Sequence, residues 1–307
     1  TTVIETYLQP LPHGITLSCR AAGQRDRPVL LFLHGFPEGA FVWDSFLAHF
    51  SLDQNGGYRC VAPNLRGFER SSAPPLPSAY RPKHLVQDIA ALIAIETANQ
   101  GGTLATLVAH DWGGAVAWNL INQMPHLAQQ LMIVNSPHPG TFLRELKTSP
   151  TQQAASAYMN FLIRPDAERL LAQDDYRRLW GFFSAPGQST EPRWLTQALK
   201  DQYRAVWRHG LTGGCNLYLA SPERPPTESD PAAAAVSLPD EMLTVQLPTL
   251  VVWGMDDIAL PPALLDGLDH FVDKLTLRTI ERATHWVLHE QPELVMRYLQ
   301  DFLPSHQ

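Results

Sequence analysis

Apolar residues fall along this chain in two rhythms. The first consists of short unbroken runs: Val29 to Leu33 (VLLFL), Tyr58 to Ala62, Leu104 to Ala109, Leu131 to Asn135 (LMIVN) and Leu250 to Trp253. A strand covered on both faces reads this way, because each face needs apolar side chains. Ile15 to Ala22 and Lys274 to Ile280 predict an early and a late strand. The second rhythm is helical. Pro82 to Gln100 carries Leu85, Ile89, Leu92 and Ile93 on one side at three- and four-residue spacing; Gly113 to Met124 and Pro292 to Leu303 predict further helices. Strand and helix alternate at both ends of the chain, which predicts a parallel α/β sheet.

The middle breaks this alternation. From about Pro137 to Met242 no run predicts a buried strand. Aromatic, charge-rich helical stretches surround Tyr158, Trp180, Trp194 and Trp207. They are followed by the Pro-rich passage SPERPPTESDPAAAAVSLPDE, Ser221 to Glu241, which is not regular throughout. The pattern predicts a helical cap, residues 137–242, inserted into a core formed by residues 1–136 and 243–307. There are no internal repeats.

Composition narrows the function classes. With 307 residues, 45% of them hydrophobic, the chain can build one substantial core plus an inserted subdomain. The net charge of -7 comes without a basic stripe, which argues against a nucleic-acid partner. No apolar run approaches the roughly 18 residues of a membrane helix. The opening TTVIETYLQP lacks the features of a signal peptide and begins without Met, so processing or trimming is expected. Cys19, Cys60 and Cys215 are odd in number and far apart. They match neither a zinc spacing nor a disulfide framework, and suggest a reducing, cytoplasmic setting.

The stretch VAHDWGGAVAW, Val108 to Trp118, carries the first chemical signal. A buried strand reverses directly into a helix. Ala109 stands two residues before Asp111, and Gly113 and Gly114 follow it. So sharp a turn leaves no room for large side chains beside its tip, and pushes the central residue up at the carboxyl end of the sheet. The tip is a carboxylate where a serine hydrolase would place its hydroxyl.

A nucleophile there needs backbone donors, a base and an orienter for the base. HGFPE, His34 to Glu38, follows the strand Val29 to Leu33; the N–H of Phe36 is expected to face the elbow beside that of Trp112. ERATHWVLHEQP offers two late histidines. His285 falls in the loop after the last strand and is the preferred base, whereas His289 reads as a solvent-facing or capping residue. GMDDIALPP after Leu250 to Trp253 offers Asp256 and Asp257; Asp257 is preferred as orienter, with Asp256 a solvated loop residue. The other strand end that could hold an acid has Asn135 and Ser136, neither anionic.

HGFPE, HDWGG, NSPHP (Asn135 to Pro139), WGMDD and THW with EQP together make the sequence resemble the epoxide hydrolases of the α/β-hydrolase superfamily, over nearly the whole chain. The resemblance implies the α/β-hydrolase fold, a mostly parallel sheet with helices on both faces and an inserted helical cap. It implies a triad of Asp111, His285 and Asp257, and conversion of an epoxide and water to a vicinal diol without metal or cofactor. It also implies two cap tyrosines holding the epoxide oxygen. SAYMNFLIRP resembles the stretch bearing the first, at Tyr158, and LTGGCNLYLASP the stretch bearing the second, at Tyr218. Leu219 stands where the family usually has arginine, and Ala109 where its elbow usually opens with glycine. Tyr176 and Tyr203 are competing phenols. Trp180, Phe182, Phe183 and Trp207 are expected to fill the cap interior rather than line a pocket.

An aspartate fits this chemistry because its ordinary pKa, near 3.9, leaves it ionised at neutral pH. It can attack saturated carbon without a prior proton transfer, forming an ester. Haloalkane and fluoroacetate dehalogenases resemble the chain through the same elbow. However, Phe36 and Trp112 stand where those families often place asparagine and arginine, respectively. A binding protein that kept the fold and lost the chemistry is the alternative from another class.

Overall fold

The computed structural model describes residues 2–185 and 187–305. Eight strands form one sheet: β1 (Glu5–Pro10), β2 (Thr16–Ala22), β3 (Val29–Leu33), β4 (Arg59–Pro63), β5 (Leu104–His110), β6 (Ala128–Val134), β7 (Thr249–Gly254) and β8 (Leu275–Ile280). Their order across the sheet is β1-β2-β4-β3-β5-β6-β7-β8. From β4 to β8 neighbouring strands run parallel, whereas β1 pairs antiparallel with β2, and β2 antiparallel with β4.

The unbroken apolar runs lie in the sheet centre, and every residue of β3 and of β7 is buried. At the margins the burial pattern changes. β1 alternates half-buried and exposed residues, and β8 exposes three of its six. The apolar pattern does not reveal β1 for this reason. Its half-buried side chains form no apolar run, and its ladder to β2 is what makes it a strand. With these two antiparallel pairings at one edge, the sheet is mostly parallel, as the resemblance implies.

Helices cover the sheet. α1 (Asp44–Ser51) packs over β2 and β4, and α10 (Pro292–Phe302) over β7, the two meeting where His49 Nε2 lies 3.3 Å from Gln300 Oε1. α2 (Pro82–Glu96) and α3 (Trp112–Gln123) pack on each other, with α3 against β3, β5 and β6. α2 ends four residues before the predicted Gln100, where Thr97 Oγ1 donates to the Ile93 carbonyl and Gly101 and Gly102 take left-handed backbone.

Between β6 and β7 the chain forms α4 (Pro139–Thr148), α5 (Pro150–Ala155), α6 (Met159–Leu162), α7 (Ala167–Gly181), α8 (Gln197–Trp207) and α9 (Thr212–Ala220). α7 is broken at Gln173 to Tyr176, where three residues have positive φ. This segment is tied to the rest of the chain at several points. Trp207 Nε1 donates to the Pro37 carbonyl at 2.6 Å, Gln152 Nε2 to Ala259 at 3.1 Å, and Asn216 Nδ2 to Pro75 at 3.2 Å. At its root, His138 Nε2 donates to the Leu243 carbonyl at 2.8 Å, while its Nδ1 accepts from the Gly140 N–H at 3.0 Å. The NSPHP histidine thus fastens the start of the excursion to its return. No described helix is long and apolar enough to cross a membrane.

Candidate active site

The elbow is built by close approach of backbones. β5 ends at His110, α3 begins at Trp112, and Asp111 between them has φ 54° and ψ -126°. That conformation is costly for a side-chain-bearing residue, so the surroundings must hold it. Ser136 Oγ donates to the Asp111 carbonyl at 2.7 Å. A Cβ at Gly113 would come within 2.5 Å of the Leu33 carbonyl oxygen, and one at Gly35 within 2.2 Å of the Asp111 Cβ. Both positions therefore require glycine. With Gly35 in place, the Phe36 N–H reaches Asp111 Oδ2 at 2.8 Å. Trp112 opens α3, whose first N–H groups have no partner within the helix and favour negative charge.

The strand ends bring the other two groups to the same spot. His285 Nε2 lies 3.0 Å from Asp111 Oδ1, and its Nδ1 lies 2.6 Å from Asp257 Oδ2. Asp257 is buried, and its Oδ1 accepts from the N–H groups of Ala259 and Leu260, each at 2.9 Å. Asp256 is exposed, on the outside of the same turn. Asn135 completes the arrangement. Its Nδ2 donates to Asp257 Oδ2 at 3.0 Å, its Oδ1 accepts from the Gly254 N–H at 2.7 Å, and its φ is 41°. A search of the sequence for acids passes over Asn135 because it carries no charge. Asparagine's tolerance of left-handed backbone at a strand end is the usable signal.

These contacts set the charge states. Burial pushes the Asp111 carboxyl upward, but the hydrogen bond and charge of His285, with His110 and the Phe36 N–H, more than offset this and hold it below the usual carboxylate range. Burial pulls His285 down. The carboxylates of Asp257 and Asp111 on either side nevertheless push it well above an ordinary imidazole. The resting site is therefore an imidazolium between two carboxylates.

Behind this triad lies a second buried polar group that sequence reasoning does not assign. Glu38 Oε2 accepts from the Tyr203 hydroxyl at 2.5 Å and lies 2.7 Å from His289 Nε2, while Glu38 Oε1 faces His110 Nδ1 at 3.5 Å. His110 Nε2 in turn donates to the His285 carbonyl at 2.9 Å. Burial raises the Glu38 carboxyl, but His289 and His110 reverse the effect and hold it far below the usual range. The expectation that His289 faces solvent is corrected here. It stacks on Trp194 with ring centroids 4.5 Å apart and is held by Glu38, which a reading along one chain segment does not bring near it.

Tyr158, just before α6, and Tyr218, in α9, face the triad from the inserted segment. Their ring centroids are 6.1 Å apart, and Tyr218 stands edge-on to Phe36 and Trp112 at 5.3 and 5.2 Å. Burial foremost, then the negative charge of Asp111, raises the Tyr158 phenol; burial and the neighbouring Tyr158 and Asp111 raise Tyr218 likewise, so both stay protonated. The two tyrosines, Asp111, His285, Phe36 and Phe182 line a cavity of about 260 Å³.

The competing phenols lie elsewhere, Tyr203 on Glu38 and Tyr176 against Trp207 at 5.1 Å. Trp180, Phe183 and Trp207 pack with Tyr203 as expected, but Phe182 lines the cavity, which corrects that part of the reading. The Trp286 indole, donating to the Phe182 carbonyl at 3.1 Å, holds it there. Among the described residues no cluster of His, Cys, Asp or Glu is arranged to hold a metal ion.

A mostly parallel sheet with helices packed over it defines a class of fold, and comparison with known proteins agrees on that fold. The chain belongs to the alpha/beta hydrolase fold family, which matches residues 28–292. Within that family it is epoxide hydrolase-like. Epoxide hydrolase 1 of Caenorhabditis elegans is 32% identical over 93% of this chain and 67% of its own length. The AB hydrolase superfamily protein YfhM of Bacillus subtilis is 31% identical over 95% and 96%. A solved structure from work on novel epoxide hydrolases in hot-environment metagenomes is 36% identical, covers 99% of this chain and 100% of its own, and has a TM-score of 0.82.

Proposed function

We propose that this protein is an epoxide hydrolase that works through an ester on Asp111. The observation that carries the reading is the position of the Asp111 carboxylate. It is ionised, within 3.0 Å of His285 Nε2, and it lines one cavity with two protonated phenols.

In the first half-reaction an Asp111 oxygen attacks a ring carbon of the epoxide and the C–O bond breaks. The oxygen leaves as an alkoxide and takes a proton from Tyr158 or Tyr218, whose phenolates are less basic than an alkoxide. Esterification removes the charge of Asp111 and with it part of what holds the His285 proton. That proton replaces the one lost by the phenol, and His285 becomes a neutral base.

In the second half-reaction His285, oriented by Asp257, takes a proton from water, and the resulting hydroxide adds to the Asp111 carbonyl carbon. Negative charge develops on the carbonyl oxygen beside the Phe36 and Trp112 N–H groups, donors of a kind worth on the order of 100-fold or more in rate. Collapse expels the diol oxygen, which takes the hydroxyl proton, and the site returns to its starting charge state.

Residues 137–242 then act as a cap domain on a core of residues 1–136 and 243–307, carrying the acids to the nucleophile and shutting out bulk water. Three free, buried cysteines suit a reducing compartment such as the cytoplasm. The test is turnover of styrene oxide and an aliphatic epoxide beside a chloroalkane, with wild type and Asp111→Asn. Diol formation that is lost in the variant supports the reading. Halide release without diol formation supports the dehalogenase alternative, and absence of both supports a binding protein.

A further inference from the structure

A second, smaller cavity of about 50 Å³ adjoins the first and shares Asp111, Tyr158 and Tyr218 with it. Its other walls are mostly apolar, including Phe142, Met159 and Leu260. One ionisable side chain there has no part in the chemistry above: Glu223, in the Pro-rich passage after α9. The turn that delivers it is defined, since the Glu223 N–H donates to the buried Ser221 Oγ at 3.1 Å. Its neighbour Arg224 is engaged elsewhere, with Asp230 at 2.7 Å and the Ser221 carbonyl at 3.0 Å. Among the described residues, no hydrogen bond or ion pair reaches the Glu223 carboxyl group.

Glu223 is half-buried, and its carboxyl group, set among mostly apolar side chains of the cavity wall, is free to accept from a donor carried by a ligand. We propose that Glu223 is a specificity-determining residue, its carboxyl group receiving a hydrogen-bond-donating arm, hydroxyl or ammonium, of an epoxide whose ring lies on Asp111. The proposal rests on the epoxide-opening reading and names its substrate class: short epoxides with a polar, donating tail rather than purely hydrocarbon ones. The shared wall explains how one molecule can reach both carboxylates. Its ring occupies the junction at Asp111, Tyr158 and Tyr218, and its arm enters the smaller cavity.

The lobe's charge states separate Glu223 from its neighbours. Glu223 as a whole is half-buried, and the apolar surroundings of its carboxyl group push it up to about 7. Of the other titratable groups facing the lobe, Asp111 is held low and Tyr158 and Tyr218 are held high. Glu223 is thus the group of this lobe that changes charge near neutrality.

The test compares 1,2-epoxypentane with 3,4-epoxybutan-1-ol, which differ in a terminal methyl or hydroxyl. In parallel, calorimetry measures binding of pentane-1,2-diol, butane-1,2,4-triol and 4-aminobutane-1,2-diol. Wild type should favour the donor arm in both series, and Glu223→Ala should reduce the preference by about 10-fold. Glu223→Gln, which keeps the shape and one acceptor, should retain part of the hydroxyl preference and lose the ammonium preference. Ammonium-arm binding should tighten from about pH 6 to about pH 8 in wild type as the carboxyl ionises, and stay flat in Glu223→Gln.

Equal arm preference in wild type and both variants would overturn the proposal. Diol binding reads the arm site without turnover. Arm preference intact in the diols with no epoxide opened counts against the epoxide-opening reading and for the arm site; epoxides opened without arm preference count the other way.

Discussion

The side-chain amide of Asn135 donates to Asp257 Oδ2 across 3.0 Å, the same oxygen that lies 2.6 Å from His285 Nδ1. One oxygen thus takes a neutral donor from the end of β6 and the imidazole from the loop after β8. Because Asn135 also bridges to the backbone of Gly254, it holds the acid loop against the neighbouring strand end. Asn135→Ala should lose about 1–3 kcal/mol of stability, from the missing hydrogen bonds and the left-handed backbone. It should also slow ester hydrolysis more than ester formation. Pre-steady-state rates on an epoxide check the second part, and equal slowing of both steps would contradict it.

Removing the base should trap the ester. In His285→Gln the nucleophile, the phenols and the Phe36 N–H remain, so ring opening can proceed while water is not activated. Intact-protein mass spectrometry should show an increase equal to the mass of the epoxide, located on the peptide bearing Asp111. An unmodified protein after long incubation would contradict the covalent step.

The two phenols should share the work of protonating the alkoxide. Tyr158→Phe and Tyr218→Phe are each expected to slow ring opening on the order of 100-fold, and the double variant should nearly abolish it. Single-turnover ester formation is the measurement. A double variant at full rate would place the acid elsewhere.

Gly35 is expected to be sensitive despite bearing no side chain. An added methyl group would overlap Asp111, its carbon falling 2.4 Å from Asp111 Oδ2. Gly35→Ala should displace the carboxylate or the Phe36 N–H and lower kcat by about 100-fold, the scale for a misplacement of roughly an ångström. Circular dichroism should show a retained fold. Wild-type kcat would contradict the packing argument.

Stability should fall on mild acidification through two buried imidazoles. Burial pulls His34 and His138 down to about 4, against an ordinary value of 6.5. Between those values the unfolded chain binds protons on these two groups that the folded chain refuses, which costs stability as pH falls from about 6.5 to about 4. Glu223, pushed up to about 7, opposes this over the same range but offsets only about one of the two imidazoles, so the net direction is a loss. Glu38, held low in the folded state, contributes in the same direction at the acid end, as pH falls below the ordinary carboxylate value near 4.3. Denaturation midpoints across this range should show the slope, and His138→Gln should reduce it. An unchanged slope in the variant would remove His138 as a cause.

Much of this protein is decided locally and is legible in its sequence. An unbroken apolar run such as VLLFL has no stable place except a strand covered on both faces. A turn bearing Ala109, Asp111, Gly113 and Gly114 allows little besides a tight strand-to-helix reversal. These features follow from burial and sterics within a few residues. What tertiary structure alone decides is which distant groups meet. β1 exists because β2 offers it a ladder, and Glu38 is ionised because His110 and His289, far along the chain, surround it. Phe182 faces a cavity because Trp286 holds its carbonyl, and the Glu223 carboxyl stands apart because none of the described residues packed around it offers a donor. Charge state and neighbourhood depend on desolvation and on partners across the fold, and no pattern along one segment carries that information.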